Sequence, residues 1–344
     1  MIDVAFFTSI KTERIKRLAD HIEEFGVRIH IYNLTEHRNP LYLLRMISQL
    51  PNSTILATHE SLMVPTTFLL ARSFGYRYVY IQNGVLWKTW ADAPAVYRNL
   101  RTILFKLILR EASSVVCNSI YLSNELKSFY PHGEDKYIPI HNAIDIPKPL
   151  PSSEMFEFEE GFQHFVTMTN FEHPKKYEGL LHLIRAIDIS TADRPVLHIL
   201  SKVLRHSGLS NLHDFQGRME GLESRVDLRF YPNADARRFL SPDINFLYCS
   251  LTGGDSFPRA VLEALALGVP SVIVETNGCT EAVFNKDMAL VVTLDEFQIK
   301  YGIDQLLLFP EKRSKIMCAA PKGIRSQLSW RQMAKKYAYM FHSC

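Results

Sequence analysis

An acidic pair eight residues apart is the pattern in this sequence with the clearest chemical meaning. Asp255 follows two glycines, and Glu263 comes eight positions later. Between them, Ser256 is a suitable N-cap, and Pro258 suits the first turn of a helix, where its missing N–H is no loss. A helix N-terminus presents free N–H groups and the positive end of the helix dipole to phosphate. Two carboxylates so placed can therefore hold hydroxyl groups at two points of one extended ligand whose phosphates lie between them.

The acidic pair alone also fits a solvated helix face, and both interpretations stay open on spacing alone. The surrounding residues favour a ligand site. A β-like run precedes Asp255, Gly268 can terminate the helix, and Pro270 begins the next predicted strand. The helix would then start at the carboxyl end of a strand, which is where open α/β sheets bind ligands.

Short apolar runs alternate with helix-periodic segments along the whole chain, a pattern typical of βα units on a parallel sheet. Strands are predicted near residues 3–8, 27–32, 54–58, 78–82, 114–118, 137–140, 165–169, 196–200, 227–230, 245–249, 271–275 and 289–292. The clearest helices are predicted near residues 12–25, 62–74, 96–111, 122–129, 178–189, 258–267, 295–308 and 330–341. We therefore expect an α/β fold.

A stiff linker interrupts this pattern near the middle of the chain. Residues 146–153 contain three prolines and two serines, and proline both fixes φ and removes a backbone donor. We expect one domain over residues 1–150 and a second over 151–328. Two consecutive open α/β domains imply a cleft between the carboxyl ends of their strands.

Composition and charge exclude several classes of protein. The chain has 344 residues, of which 47% are hydrophobic, and no run reaches the roughly 18 apolar residues of a membrane-spanning helix. A net charge of +3 is too small for nucleic acid to be the main partner. The five cysteines never form C-x-x-C, which argues against a disulfide framework or a zinc site. With no signal-peptide pattern at the start, we expect a cytoplasmic protein.

The stretch 253–270 resembles the E-x₇-E signature of family 4 glycosyltransferases, which are retaining enzymes of the GT-B fold, with Asp255 in the first acidic position. Further segments follow the order of that family: 55–61, 78–84, 114–119, 138–145, 165–171 and 277–281. The resemblance implies two Rossmann-like domains whose parallel sheets face a central cleft. Residues 1–150 would form the acceptor-side domain, 151–328 the nucleotide-sugar donor domain, and 329–344 a C-terminal helix that returns to the N-terminal domain.

The same resemblance implies a role for each candidate residue. Asp255 would bind hydroxyls of the donor sugar, and Glu263 the ribose of the nucleotide. Either Lys175 or Lys176 would contact the diphosphate, because a departing nucleoside diphosphate gains charge that a preorganised cation stabilises. Gln82 completes the implied catalytic set, at the place of a family histidine. The other implied donor-binding positions are Gly254, Ser256, Phe257, Pro258, Arg259, Asn170 and Glu281.

Three positions depart from the family pattern. The family often has a glycine-rich loop after the first strand, whereas residues 8–11 contain no glycine. Asn170 stands where an arginine commonly precedes the donor lysine, and Arg259 could compensate for it. Gln82 can donate a hydrogen bond to a sugar but cannot carry the charge of a histidine.

The resulting expectation is a retaining transferase that moves a hexose from a GDP- or UDP-sugar to a hydroxyl of a glycan, lipid-linked or protein acceptor. Family frequency gives a slight preference for mannose from GDP-mannose. No D-x-D triplet occurs, so we expect neither a metal nor another cofactor. The alternative is a GT-B-shaped protein that binds nucleotide sugars without turnover. A nicotinamide-dependent oxidoreductase is disfavoured because G-x-G-x-x-G is absent.

Residues 97–110 combine basic and apolar side chains at helical spacing. One interpretation buries the apolar face in the domain core and leaves the basic residues solvated. The other is peripheral contact with an anionic membrane surface. The sequence leaves both open.

Overall fold

Two parallel sheets organise the chain in the computed structural model, which describes residues 1–8, 12–34, 39–59, 64–85, 87, 90, 94–172, 174–203, 206–221, 223–251 and 255–344. The described residues divide into two units. The first unit consists of Met1–Ala143 together with Leu328–Cys344, and the second of Ile144–Gln327.

The first unit contains a six-stranded sheet with the strand order β2-β1-β3-β4-β5-β6. Its strands are β1 (Ile2–Thr8), β2 (Val27–Asn33), β3 (Ile55–His59), β4 (Arg77–Gln82), β5 (Ser114–Cys117) and β6 (Tyr137–Pro139). Every neighbouring pair is parallel. The interior strands β3 and β5 are buried along their whole length, as expected for strands covered on both faces.

Helices cover both faces of this sheet. They are α1 (Thr12–Ile22), α2 (Pro40–Ser48), α3 (Val64–Ser73), α4 (Ala95–Glu111), α5 (Ile120–Phe129) and, from the end of the chain, α12 (Trp330–Ser343). Side chains of α2, α3, α4 and α5 share one buried apolar cluster with the sheet. Side chains of α1 and α12 share a second buried cluster with strand residues that are not part of the first cluster. The two groups of helices therefore form separate layers.

Helix α12 is an integral part of the first unit. Ser329 caps it by accepting a hydrogen bond from the backbone N–H of Gln332 at 3.3 Å. Its apolar face includes Met333, Tyr337 and Phe341, all buried in the cluster that α1 also lines. The last residues of the chain therefore contribute to the same core as its first residues.

The second unit contains a six-stranded parallel sheet with the order β12-β11-β10-β7-β8-β9. Its strands are β7 (Gln163–Asn170), β8 (Pro195–Lys202), β9 (Asp227–Pro232), β10 (Asn245–Tyr248), β11 (Ser271–Val274) and β12 (Leu290–Val292). Its helices are α6 (Pro174–Tyr177), α7 (Leu180–Asp188), α8 (His206–Glu220), α9 (Arg259–Ala266), α10 (Glu296–Leu308) and α11 (Pro310–Gln327).

The α/β fold expected from the sequence is confirmed, and each of the twelve predicted strands overlaps an observed one. Helices α2, α6, α8 and α11 were not among the predicted helices. Of these, α8 and α11 are rich in polar residues, and α11 contains Pro321, so neither shows a clear apolar period. Among the described helices, none is long and apolar enough to cross a bilayer.

Candidate functional site

Strands β7 and β10 are neighbours in the middle of the second sheet, and the loops that follow them bring two charged side chains together. The Nζ atom of Lys176, in α6 after β7, lies 3.0 Å from Oδ2 of Asp255, in the segment after β10. The hydroxyl of Tyr248, the last residue of β10, donates to the same carboxylate oxygen at 2.9 Å. We call these three residues the Lys–Asp–Tyr cluster.

The backbone around the Lys–Asp–Tyr cluster is tightly connected. The N–H of Leu251 donates to the carbonyl of Lys175 at 2.8 Å, and the Thr169 hydroxyl donates to the carbonyl of Lys176 at 2.9 Å. Gly179 lies against β10 so closely that a Cβ there would be 2.5 Å from the carbonyl oxygen of Cys249. Helix α6, which carries Lys176, is therefore fixed against the end of the neighbouring strand.

Burial governs the electrostatics of the cluster. The side chains of Lys176 and Asp255 are each 22% exposed, so their charges contact each other while still meeting solvent. Burial, followed by the nearby Asp255 carboxylate, holds the pKa of Tyr248 well above its usual range, so its hydroxyl remains a donor. Burial also raises the pKa of the Cys249 and Cys279 thiols to about 12, which makes both poor nucleophiles.

Helix α9 supplies the second acidic residue. Glu263 is the fifth residue of the helix, and its Oε1 accepts from Nε of Arg259 at 2.6 Å. The Arg259 side chain is 80% exposed, whereas that of Glu263 is only 22% exposed. Because an i,i+4 ion pair with one largely exposed partner contributes little to stability, a ligand can replace Arg259 at modest energetic cost.

The predicted start of this helix was wrong in detail. Ser256 is not the N-cap; Pro258 occupies that position in an extended conformation (φ −72°, ψ 121°), and no side chain caps the helix. The fixed φ of proline suits an extended N-cap as well as the first turn. Ser256 is instead buried two residues earlier, beside the equally buried Phe257.

A second loop, after β11, packs against this segment. Asn277 has a positive φ of 54°, and its side chain donates to the carbonyl of Leu251 at 2.9 Å. A Cβ at Gly278 would lie 1.8 Å from the carbonyl oxygen of Ser256, so only glycine fits there. Glu281 follows, half-buried, in the short 3₁₀ helix Cys279–Ala282. The sequence did not single out Asn277 and Gly278 as the residues that hold the Asp255 segment.

The remaining predicted site residues lie in different surroundings. Lys175 is exposed, and Asn170 ends β7 with its Oδ1 accepting from the N–H of Glu172 at 2.8 Å. Gln82 belongs to the first unit, where it is fully buried; its Oε1 accepts from the Tyr80 hydroxyl at 2.5 Å and its Nε2 donates to the carbonyl of Gly84. Gly254 and the loop residues 9–11 lie outside the described residues.

In the described ranges, no three His, Cys, Asp or Glu side chains are grouped so that they could hold a metal ion. At the end of β10 the second unit pairs Lys176 with Asp255, and Glu263 lies in the helix that follows this segment. This arrangement can bind hydroxyl groups through the carboxylates and an anionic group through the lysine.

Comparison with known proteins gives this geometry a context. Residues 153–323, all within the second unit, match the family model described as Glycosyl transferases group 1. No curated protein matches the sequence. Among solved structures, Anabaena HepE in complex with UDP is 15% identical, with a TM-score of 0.73 and 100% of both chains covered.

Two further structures share the fold. A glycosyltransferase from Rickettsia africae is 14% identical, with a TM-score of 0.72 and coverage of 99% of this chain and 98% of that one. Sucrose-phosphate synthase from Thermosynechococcus elongatus is 12% identical, with a TM-score of 0.70 and coverage of 100% and 99%. At these identities the likeness shows the fold, and it confirms the expected GT-B class with its two six-stranded parallel sheets.

Proposed function

We propose that the protein is a retaining glycosyltransferase of the family 4 type, which moves a hexose from a sugar nucleotide to a hydroxyl acceptor. The observation that carries this proposal is the Lys–Asp–Tyr cluster, built by adjacent strands in the segment that matches the group 1 glycosyltransferase model. Helix α9 adds Glu263 close by in the sequence, at the spacing that the family signature requires.

Each residue of the cluster has a distinct task in the proposed reaction. Lys176 and Tyr248 both contact Oδ2 of Asp255. Both of these contacts are to Oδ2, and Oδ1 is the oxygen proposed to accept from sugar hydroxyls. Lys176 carries the positive charge that stabilises the departing diphosphate. Glu263 accepts from the ribose hydroxyls once Arg259 has swung away from it.

The donor in this proposal is a GDP- or UDP-hexose. Sequence-based family frequency favours GDP-mannose, whereas the structurally similar HepE has been solved with UDP and with UDP-glucose. The reaction is proposed to need no metal, because a lysine and a helix N-terminus can balance the diphosphate charge. We also propose a cytoplasmic location, which is supported by five cysteines that are all free.

The direct test is to incubate the protein with a panel of GDP- and UDP-sugars and to measure released nucleoside diphosphate. One donor is expected to be hydrolysed slowly without acceptor, since water can replace the acceptor hydroxyl. Asp255→Asn should abolish this release, with Asp243→Asn, an exposed aspartate of the same unit, as the control. Absence of release from every donor, with or without glycan acceptors, would contradict the proposal.

A second candidate is a GT-B-shaped protein that binds nucleotide sugars without turnover. The observation that favours it is Gln82, whose amide oxygen and nitrogen are both bonded within the first unit. Because Gln82 is also fully buried, it does not offer a sugar the contact that a family histidine would. Tight binding of one nucleotide sugar without any release of nucleoside diphosphate would support this second candidate.

A further inference from the structure

Helix α4 is apolar on two opposite sides. One side packs in the core through Phe105, Ile108 and Leu109, each buried. The other carries Val96, Leu100 and Ile103, which are 83%, 62% and 66% exposed. These three positions are spaced i, i+4, i+7, so they form one stripe on the solvent side of the helix. Core packing of α4 therefore accounts for only one of its two apolar sides.

The neighbouring helices of the same layer also expose large apolar residues. Helix α2 exposes Leu41 (72%) and Leu44 (39%), and α3 exposes Leu69 (49%). Because α2, α3 and α4 bury their other sides in one core cluster against the sheet, these residues lie on the outer side of a single layer. We call this surface the outer face; its apolar residues are Leu41, Leu44, Leu69, Val96, Leu100 and Ile103. Scattered single residues of this kind are common on proteins, but a group on one layer marks an interaction surface.

The charged side chains of the outer layer are predominantly basic. Helices α2, α3 and α4 contain six basic side chains and one acidic side chain, although the whole chain has a net charge of only +3. The single acidic residue, Glu111, is already neutralised, since its carboxylate lies 2.5 Å from Arg72 and 2.7 Å from Arg110. Exposed Arg45 comes one turn after Leu41, and exposed Lys106 comes three residues after Ile103. Basic groups therefore border the exposed apolar side chains.

We propose that the outer face of the α2–α4 layer docks on the surface of an anionic lipid membrane. In this arrangement the apolar residues enter the boundary between headgroups and acyl chains, while the basic residues meet the lipid phosphates. A protein partner for this face would need an apolar centre surrounded by acidic side chains. An anionic bilayer provides negative headgroups and apolar acyl chains across its whole surface. The proposal concerns the first unit alone and does not depend on the identity of the donor.

The experiment is co-sedimentation of the full chain with vesicles of phosphatidylcholine alone or of equal parts phosphatidylcholine and phosphatidylglycerol. We expect binding to the anionic vesicles, and weak or undetectable binding to the neutral ones. The double variant Leu100→Ser/Ile103→Ser should bind the anionic vesicles at least tenfold more weakly, because two exposed apolar anchors are lost. Neutralising Arg45→Gln and Lys106→Gln should weaken binding about fivefold for each charge removed.

The matched control is Phe297→Ser, which removes a 70% exposed apolar residue from α10 of the second unit. Phe297→Ser should bind vesicles as the unmodified protein does. All variants should keep the melting temperature of the unmodified protein, because none alters a buried side chain. Equal binding to neutral and anionic vesicles, or unchanged binding of the Leu100/Ile103 variant, would overturn the proposal. So would a dimer in sedimentation velocity that this variant dissociates, since a second copy would then cover the face.

Discussion

Replacing each of two adjacent lysines in turn provides a sharp test of the Lys–Asp–Tyr cluster. Lys175→Met and Lys176→Met remove the same group at neighbouring positions of α6. Only Lys176 contacts Asp255, at 3.0 Å, whereas the Lys175 side chain is exposed. The family resemblance did not distinguish between them, but the geometry does. Lys176→Met should therefore impair the reaction, and Lys175→Met should not.

The size of the effect follows from the contact. Two unit charges 3.0 Å apart attract by about 5–6 kcal/mol at an effective dielectric constant of 20, before the cost of desolvation is subtracted. A hydrogen bond to a charged group has a net value of about 1.5–3 kcal/mol. Because both side chains are 22% exposed, Lys176→Met should lower the free energy of unfolding by about 1.5 kcal/mol or less. If the same charge stabilises the departing diphosphate, turnover should fall about 10- to 150-fold.

The assay is the initial rate of nucleoside diphosphate release for the two variants and the unmodified protein, with thermal unfolding measured on the same samples. The expected pattern is a loss of at least tenfold in Lys176→Met, a change below twofold in Lys175→Met, and similar melting temperatures for both. Equal losses in the two variants, or full activity of Lys176→Met, would refute the assignment of Lys176 as the cation of the site.

Three further outcomes are expected. Burial lowers the pKa of His198 to about 4, so the folded state favours the neutral imidazole. The free energy of unfolding should therefore be at its full value above pH 6.5 and fall by about 3 kcal/mol as the pH drops towards 4. Urea unfolding at both ends of that range should show this loss, and His198→Gln should remove it. Phe341→Ala should cost about 3–5 kcal/mol in the same assay, whereas Tyr339→Ala, on the exposed side of α12, should change stability by less than about 0.5 kcal/mol. Donor turnover should survive EDTA, and a requirement for Mg²⁺ or Mn²⁺ would contradict the metal-free mechanism.

The sequence predicted the strands well because parallel strands are buried on both faces. Runs such as Ser114–Cys117 are apolar or small at nearly every position, and they stand out between polar helices. Helix α11 was missed for the opposite reason. It covers the second unit with few buried residues, among them Ile316, Ala320 and Ile324, and it includes Pro321. Its helical form depends on tertiary packing that a single sequence does not reveal.

The candidate site was only partly predictable. Asp255 and Lys176 could be chosen as functional residues, but their contact depends on β10 lying next to β7, and these strands are far apart in sequence. Tyr248 was missed because it looks like an ordinary apolar strand residue, and its hydroxyl gains meaning only once Asp255 folds back over the strand end. Gln82 was chosen by resemblance alone; its internal hydrogen bonds involve side chains and turn geometry that the motif does not encode.

Calorimetric titration of the matching nucleoside diphosphate and nucleotide sugar into two variants tests the central claim most directly. If Glu263 holds the ribose, Glu263→Ala should weaken binding of both ligands by about 10- to 150-fold, the equivalent of about 1.5–3 kcal/mol. If Asp255 holds the sugar, Asp255→Ala should weaken only the nucleotide sugar and leave the bare diphosphate bound as before. Unchanged diphosphate affinity in Glu263→Ala, or no binding of any GDP- or UDP-sugar to the unmodified protein, would contradict the account.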